Sequence, residues 1–170
     1  MLLLTALIAT LQFDVPSGWI TKPTTSSMRV AEFALPKIAG DAEDASLVLY
    51  YFGGQGGTVQ ANLDRWIGQM TQPDGRASKD VATTSTLKTT SGLAVTLVDL
   101  AGTYTAEVTP GSTDRLNKPG FRLRAAVVET PSGPYFVKLT GPAKTMATWN
   151  DSFLAFVRSL RVARLPHPRP

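Results

Sequence analysis

The run Leu47-Val48-Leu49-Tyr50-Tyr51-Phe52, followed at once by Gly53-Gly54-Gln55-Gly56-Gly57 and a helical pattern from Thr58, limits this chain more than any other stretch. Six consecutive apolar and aromatic residues suit a central strand covered on both faces. Four glycines in five positions cannot continue that strand. They permit positive φ and let other backbone approach closely. Thr58 has an N-cap side chain. Val59, Leu63, Trp66, Ile67 and Met70 then recur at helical spacing, with Gln60, Asn62, Asp64, Arg65 and Gln69 mostly off that stripe. Pro73-Asp74-Gly75 supplies the turn that ends the unit.

Two readings stand for the glycine loop. In the first it is an anion site. Gly54, Gln55, Gly56 and Gly57 would present free N–H groups at the positive end of the helix, with Arg65 or Arg29 balancing charge. The motif is a weak one. It lacks the Gly-Lys-Ser/Thr ending of a P-loop, and Val59 stands where Gly-x-Gly-x-x-Gly needs its third glycine. In the second reading the loop is a tight strand-to-helix crossing where side chains would clash, and this is the one the residues favour.

Charge and composition narrow the function classes. Four of the seventeen basic residues, Arg158, Arg161, Arg164 and Arg169, fall in the last thirteen positions, which hold no acid. The remaining thirteen match thirteen acids, so the body is neutral and lacks the basic face that nucleic acid requires. There is no cysteine, hence no disulfide, thiolate metal site or cysteine nucleophile. The one histidine, His167, lies in the Pro-rich tail, so the body has no histidine base or ligand. No cofactor or metal site is expected. Partners are an unknown protein or small ligand.

At 170 residues the chain reads as one α+β domain over residues 12–161, with an apolar leader at 1–11 and a basic tail at 162–170. The leader is too short to span a bilayer. It resembles the apolar region of a secretory signal, although no Lys or Arg precedes it and no Ala-x-Ala site follows. The expectation is an exported protein, periplasmic or extracellular.

Elsewhere the pattern is strand-rich. Met28–Leu35 alternates with Arg29 on one side. Val81–Lys88 and Leu93–Ala106 form a strand pair about Ser91-Gly92. Asp99 is expected as a hydrogen-bonded or exposed strand residue rather than a poised acid. Thr109–Gly120 is the longest polar loop, and two readings stand equally for its Asp114, Arg115, Asn117 and Lys118: a ligand-binding set or a plain solvated excursion. Phe121–Val128 and Tyr135–Leu139 make a hairpin. Arg122 and Arg124 share a face there, with Lys138 expected on the partner strand; the readings are a binding patch or a solvated, edge-protecting face, and the second is favoured. Gly141-Pro142 opens a last helix with Met146, Trp149, Phe153, Phe156, Val157 and Leu160 as its apolar stripe. Turn-joined strands make the sheet mainly antiparallel, and two helices with one apolar stripe each must cover its faces.

Phe13-Asp14-Val15-Pro16-Ser17-Gly18-Trp19, the long strand leading to a helix with Trp66, and the closing Phe156-Val157-Arg158-Ser159-Leu160-Arg161 resemble the PsbP-like and DcrB-like superfamily. Tyr50–Gly57 with Asn62-Leu63-Asp64-Arg65-Trp66 and Gly141–Thr145 resembles an uncharacterised group of exported bacterial proteins. The resemblance implies an α/β/α sandwich and a non-enzymatic accessory or binding role. It supplies no catalytic residues and no photosystem role.

Three functions therefore compete. The leading one is a non-catalytic exported domain that binds a protein or small ligand. The second is an enzyme or sensor for an anionic small molecule at the glycine loop. The third is surface attachment through the arginine tail.

Overall fold

Ten strands and four helices form over the described residues, 10–54 and 56–163, of the computed structural model. In chain order they are β1 (Leu11–Gln12), β2 (Ile20–Lys22), β3 (Arg29–Leu35), β4 (Ala45–Tyr51), α1 (Val59–Ile67), β5 (Met70–Thr71), α2 (Ser78–Val81) and β6 (Thr83–Lys88). There follow β7 (Ala94–Tyr104), β8 (Lys118–Val128), β9 (Tyr135–Pro142), α3 (Ala143–Thr148), α4 (Asn150–Ser159) and β10 (Arg161–Val162). Most of the leader, Gln55 and the tail from Arg164 lie outside the described residues.

The main sheet has eight strands in the order β2-β3-β4-β9-β8-β7-β5, with β6 also paired to β7. Every pairing in it is antiparallel. The apolar run of β4 lies between β3 and β9, and its Leu47 and Leu49 are fully buried. A small second sheet joins β1 to β10.

Alternation assigns the two faces. Leu47, Leu49, Val137, Leu139, Ala126 and Val128 pack with Phe153, Phe156 and Val157 of α4 and Met146 of α3. Trp19 belongs to this cluster as a core aromatic, against Phe33 at 5.6 Å and Phe156 at 5.2 Å. The residues between them in sequence point the other way. Phe136, Leu123, Ala125, Val127 and Val98 pack with Leu63 and Trp66 of α1.

Four helices replace the two expected. The closing helix is broken at Trp149, whose backbone adopts φ −95° and ψ 10°. Its indole N–H donates to the Pro36 carbonyl at 2.9 Å, so the ring is held across the layer rather than along a continuous helix. The extra turn α2 precedes β6 in the stretch expected to be polar coil and strand. Helix α1 ends at Ile67, earlier than its apolar stripe suggested. Gly68 caps it, and Met70 belongs to β5, paired with Tyr104. The polar loop is shorter than expected, because Lys118, Pro119 and Gly120 already belong to β8.

Candidate functional site

Helix α1 has nine residues and covers only part of its sheet face. Beside it the face stays open as a cleft of about 600 Å³. Lys138 of β9, Tyr50 of β4 and Tyr104 of β7 come from the sheet. Arg65 and Gln69 come from α1 and its exit, and Arg29 from the start of β3. The remaining wall is the chain between β7 and β8, including Glu107, Val108 and Arg115. That chain is itself a short hairpin. Leu116 N–H donates to the Ala106 carbonyl at 2.9 Å and Val108 N–H to the Asp114 carbonyl at 3.0 Å. Arg115 and Glu107 face each other across it at 3.7 Å.

Lys138 is the unusual group. Its ammonium donates to Gln69 Oε1 and, at 2.9 Å, to the Tyr104 hydroxyl. Both acceptors are neutral. Among the described residues it forms no ion pair. Burial lowers its pKa from 10.5 to about 8, and Arg65 and Arg29 lower it in the same direction. Burial also pushes the Tyr104 phenol up to about 12, helped by Tyr50, and raises the Tyr50 phenol, so both rings stay protonated and neutral. Gln69 is held in place by its backbone, whose carbonyl accepts from Thr105 N–H at 2.8 Å and Thr105 Oγ1 at 3.2 Å.

The cations sit against aromatic rings. The Arg29 guanidinium is 5.5 Å from the Tyr50 ring centre, Lys138 Nζ 5.2 Å from that of Tyr104, and Arg65 5.9 Å from that of Trp66. Arg29 also donates to Glu32. Arg65 donates to Asn62 Oδ1 at 2.8 Å.

Of the residues singled out in the sequence, Arg29, Arg65 and, from the polar loop, Arg115 line this one cleft, whereas Asp114, Asn117 and Lys118 do not. Gly54, Gly56 and Gly57 do not line it, and Gln55 lies outside the described residues. Of the loop glycines, Gly56 answers to crowding, whereas Gly53, Gly54 and Gly57 adopt positive φ of 66°, 83° and 81°. A methyl group on Gly56 would stand 2.5 Å from the Phe136 ring, and one on Gly133 would stand 2.8 Å from the Gly54 Cα. Thr58 caps α1 through its side chain, which accepts from Ala61 N–H at 3.1 Å. Asn62 closes the loop by donating to the carbonyls of Gly56 and Thr58 at 2.6 and 2.8 Å.

Lys138 does not lie beside Arg122 and Arg124. In the register of β8 with β9 it is opposite Ala125, while Arg124 is opposite Leu139. Lys138 therefore points to the α1 face, and the two arginines to the α4 face. There they share Asp99, with Arg122 Nη2 at 2.5 Å and Arg124 Nε at 3.2 Å. Arg124 also donates to Asn150 of α4 and stacks over Phe153 at 4.8 Å. Asp99 thus acts as the hydrogen-bonded strand residue expected. What reasoning from sequence missed was Lys138 as cleft floor, with Tyr104 and Gln69. A lysine inside the apolar run Tyr-Phe-Val-Lys-Leu was the available signal.

Among the described residues no three His, Cys, Asp or Glu side chains are grouped to hold a metal ion, and no helix is long and apolar enough to cross a membrane. No family model matches the chain, and no curated protein matches it. The chain is similar in structure to a protein of unknown function from Pseudomonas aeruginosa, at TM-score 0.49 and 14% identity, over 89% of this chain and 99% of that one. It is also similar to the cyanobacterial PsbP of Synechocystis, of the family its sequence resembles, at TM-score 0.46 and 14% identity, over 94% of this chain and 96% of that one.

Proposed function

We propose that this protein is a non-catalytic binding domain that holds an anionic small molecule in the cleft between α1 and the β7–β8 hairpin. The observation that supports it is the Lys138 ammonium. It lies on the floor of an open cleft, it is bonded only by neutral oxygens, and the guanidiniums of Arg29, Arg65 and Arg115 line the same space. Burying an uncompensated charge costs free energy. An anion seated there removes that cost and strengthens its own binding in a partly dry setting. The lack of catalysis is part of the proposal. With no cysteine, and its one histidine in the tail, the chain brings neither of the side chains that most often complete a nucleophile–base pair. Helix layers on both faces of the sheet and an exported accessory setting, with residues 1–11 as leader, complete the reading.

Thermal-shift titration of the full chain with acetate, benzoate, sulfate and phosphate tests it. At least one anion should raise the melting temperature saturably, and Lys138→Met should abolish that rise. Flat curves for every anion would contradict the proposal.

A further inference from the structure

The charges of the cleft limit what can occupy it. Arg29, Arg65, Arg115 and Lys138 line it, and so do Asp64 and Glu107. Glu32 is paired with Arg29, and Glu107 with Arg115. Four cations against three carboxylates leave one net positive charge. Lys138, on the floor, and Arg65, which donates to Asn62 Oδ1, are the cations bonded only by neutral oxygens. A second negative charge on the ligand would exceed that single net charge in a space that Asp64 and Glu107 also line, and like-charge repulsion discriminates between ligands as attraction does.

The rest of the lining is flat and aromatic. Tyr50 and Phe52 lie nearly parallel, 5.7 Å apart and inclined by 15°. Tyr104 adds a ring beside Lys138, with Nζ 5.2 Å from its centre. Tyr50, Phe52 and Tyr104 all line the cleft, so they offer a planar ligand aromatic contacts in the same space as the ammonium. The hydroxyl of Tyr104, which now accepts from Lys138, carries a proton that can be donated to a second oxygen.

Resting on the binding reading above, we propose that the ligand is an aromatic monocarboxylate, with its carboxylate on Lys138 Nζ and its ring against Tyr50 and Phe52. The charge count selects a monoanion over a nucleotide or other polyphosphate. The aromatic wall selects a planar ring over an aliphatic chain.

Ligand-observed NMR titrations of the full chain at neutral pH compare benzoate, cyclohexanecarboxylate, benzyl alcohol, terephthalate and inorganic phosphate. Benzoate should bind roughly two- to tenfold tighter than its saturated counterpart, the ratio expected of a ring contact. Benzyl alcohol should not bind detectably, and terephthalate and phosphate should both be weaker than benzoate. Tyr50→Leu should erase the preference for benzoate over cyclohexanecarboxylate while binding of both persists. If phosphate or terephthalate equals or exceeds benzoate, or if the two ring acids bind alike, the ligand class is wrong and the anion cleft stands. Failure of every anion to bind would overturn the cleft reading together with this one.

Discussion

Phe136 is fully buried between β4, β8 and α1, and its ring leaves no room for a methyl group at Gly56. Gly56→Ala should therefore destabilise the protein by about 1–3 kcal/mol, the usual cost of overpacking a filled core. Urea denaturation reads this directly, and a variant as stable as wild type would contradict the crowding account of the loop. Lys138 makes a second residue-scale prediction. Its pKa is lower in the folded state, about 8 against the ordinary 10.5. Below pH 8 both states carry the charge, and only the folded state bears the desolvation. Between pH 8 and 10.5 the unfolded chain holds the proton that the folded chain has lost, so stability rises with pH across that window. The groups lining the same cleft are Arg29, Arg65, Arg115, Asp64, Glu107, Tyr50 and Tyr104, and among the carboxylates none bonds the ammonium. Lys138→Met should stabilise the protein at pH 7 by on the order of 1–3 kcal/mol and flatten the rise above pH 8. Equal pH profiles for the two proteins would contradict this. Arg29 and Arg65 stood out in the sequence as cations beside the organising strand and on its helix. Their convergence with Lys138 was hidden, because a strand residue's face depends on register, and one step of register exchanges the faces.

Elements explain why a cleft exists at all. Nine helical residues reach about 14 Å, whereas the eleven residues of β8 run about 36 Å, so α1 leaves part of its face bare. The sequence marked the helix and its N-cap clearly, through Thr58 and the Leu63–Trp66 spacing. It hid the early end, because Met70 extends the apolar periodicity although it belongs to a strand. It also hid the break at Trp149, which depends on a carbonyl 113 residues away in sequence. On the opposite face Asp99 of β7 ties together two arginines of β8, one of which is bonded to α4. Asp99→Asn would leave both guanidiniums short of a counter-charge, with Arg124 only 8% exposed. The expected loss is about 2–4 kcal/mol, toward the range for breaking a buried ion pair. Chemical denaturation measures it, and an unchanged midpoint would mean that the network contributes nothing to stability.

At the scale of the molecule, alternation along strands and one apolar stripe per helical stretch were enough to read a mainly antiparallel α+β sheet. The site was less legible, because its groups come from five separate places in the chain and no short motif joins them. A neutral body conceals a cleft with a net positive charge, since counting charges along a sequence averages over what folding segregates. Backbone amide shifts in a uniformly labelled full chain, followed as benzoate is titrated at pH 7, locate the bound anion. Saturable changes should centre on Gln69, Tyr104 and Lys138 and reach Arg29 and Arg65, and all should be lost in Lys138→Met. Changes centred instead on Gly54, Gly56 and Gly57, or no saturable change anywhere, would contradict binding in the cleft.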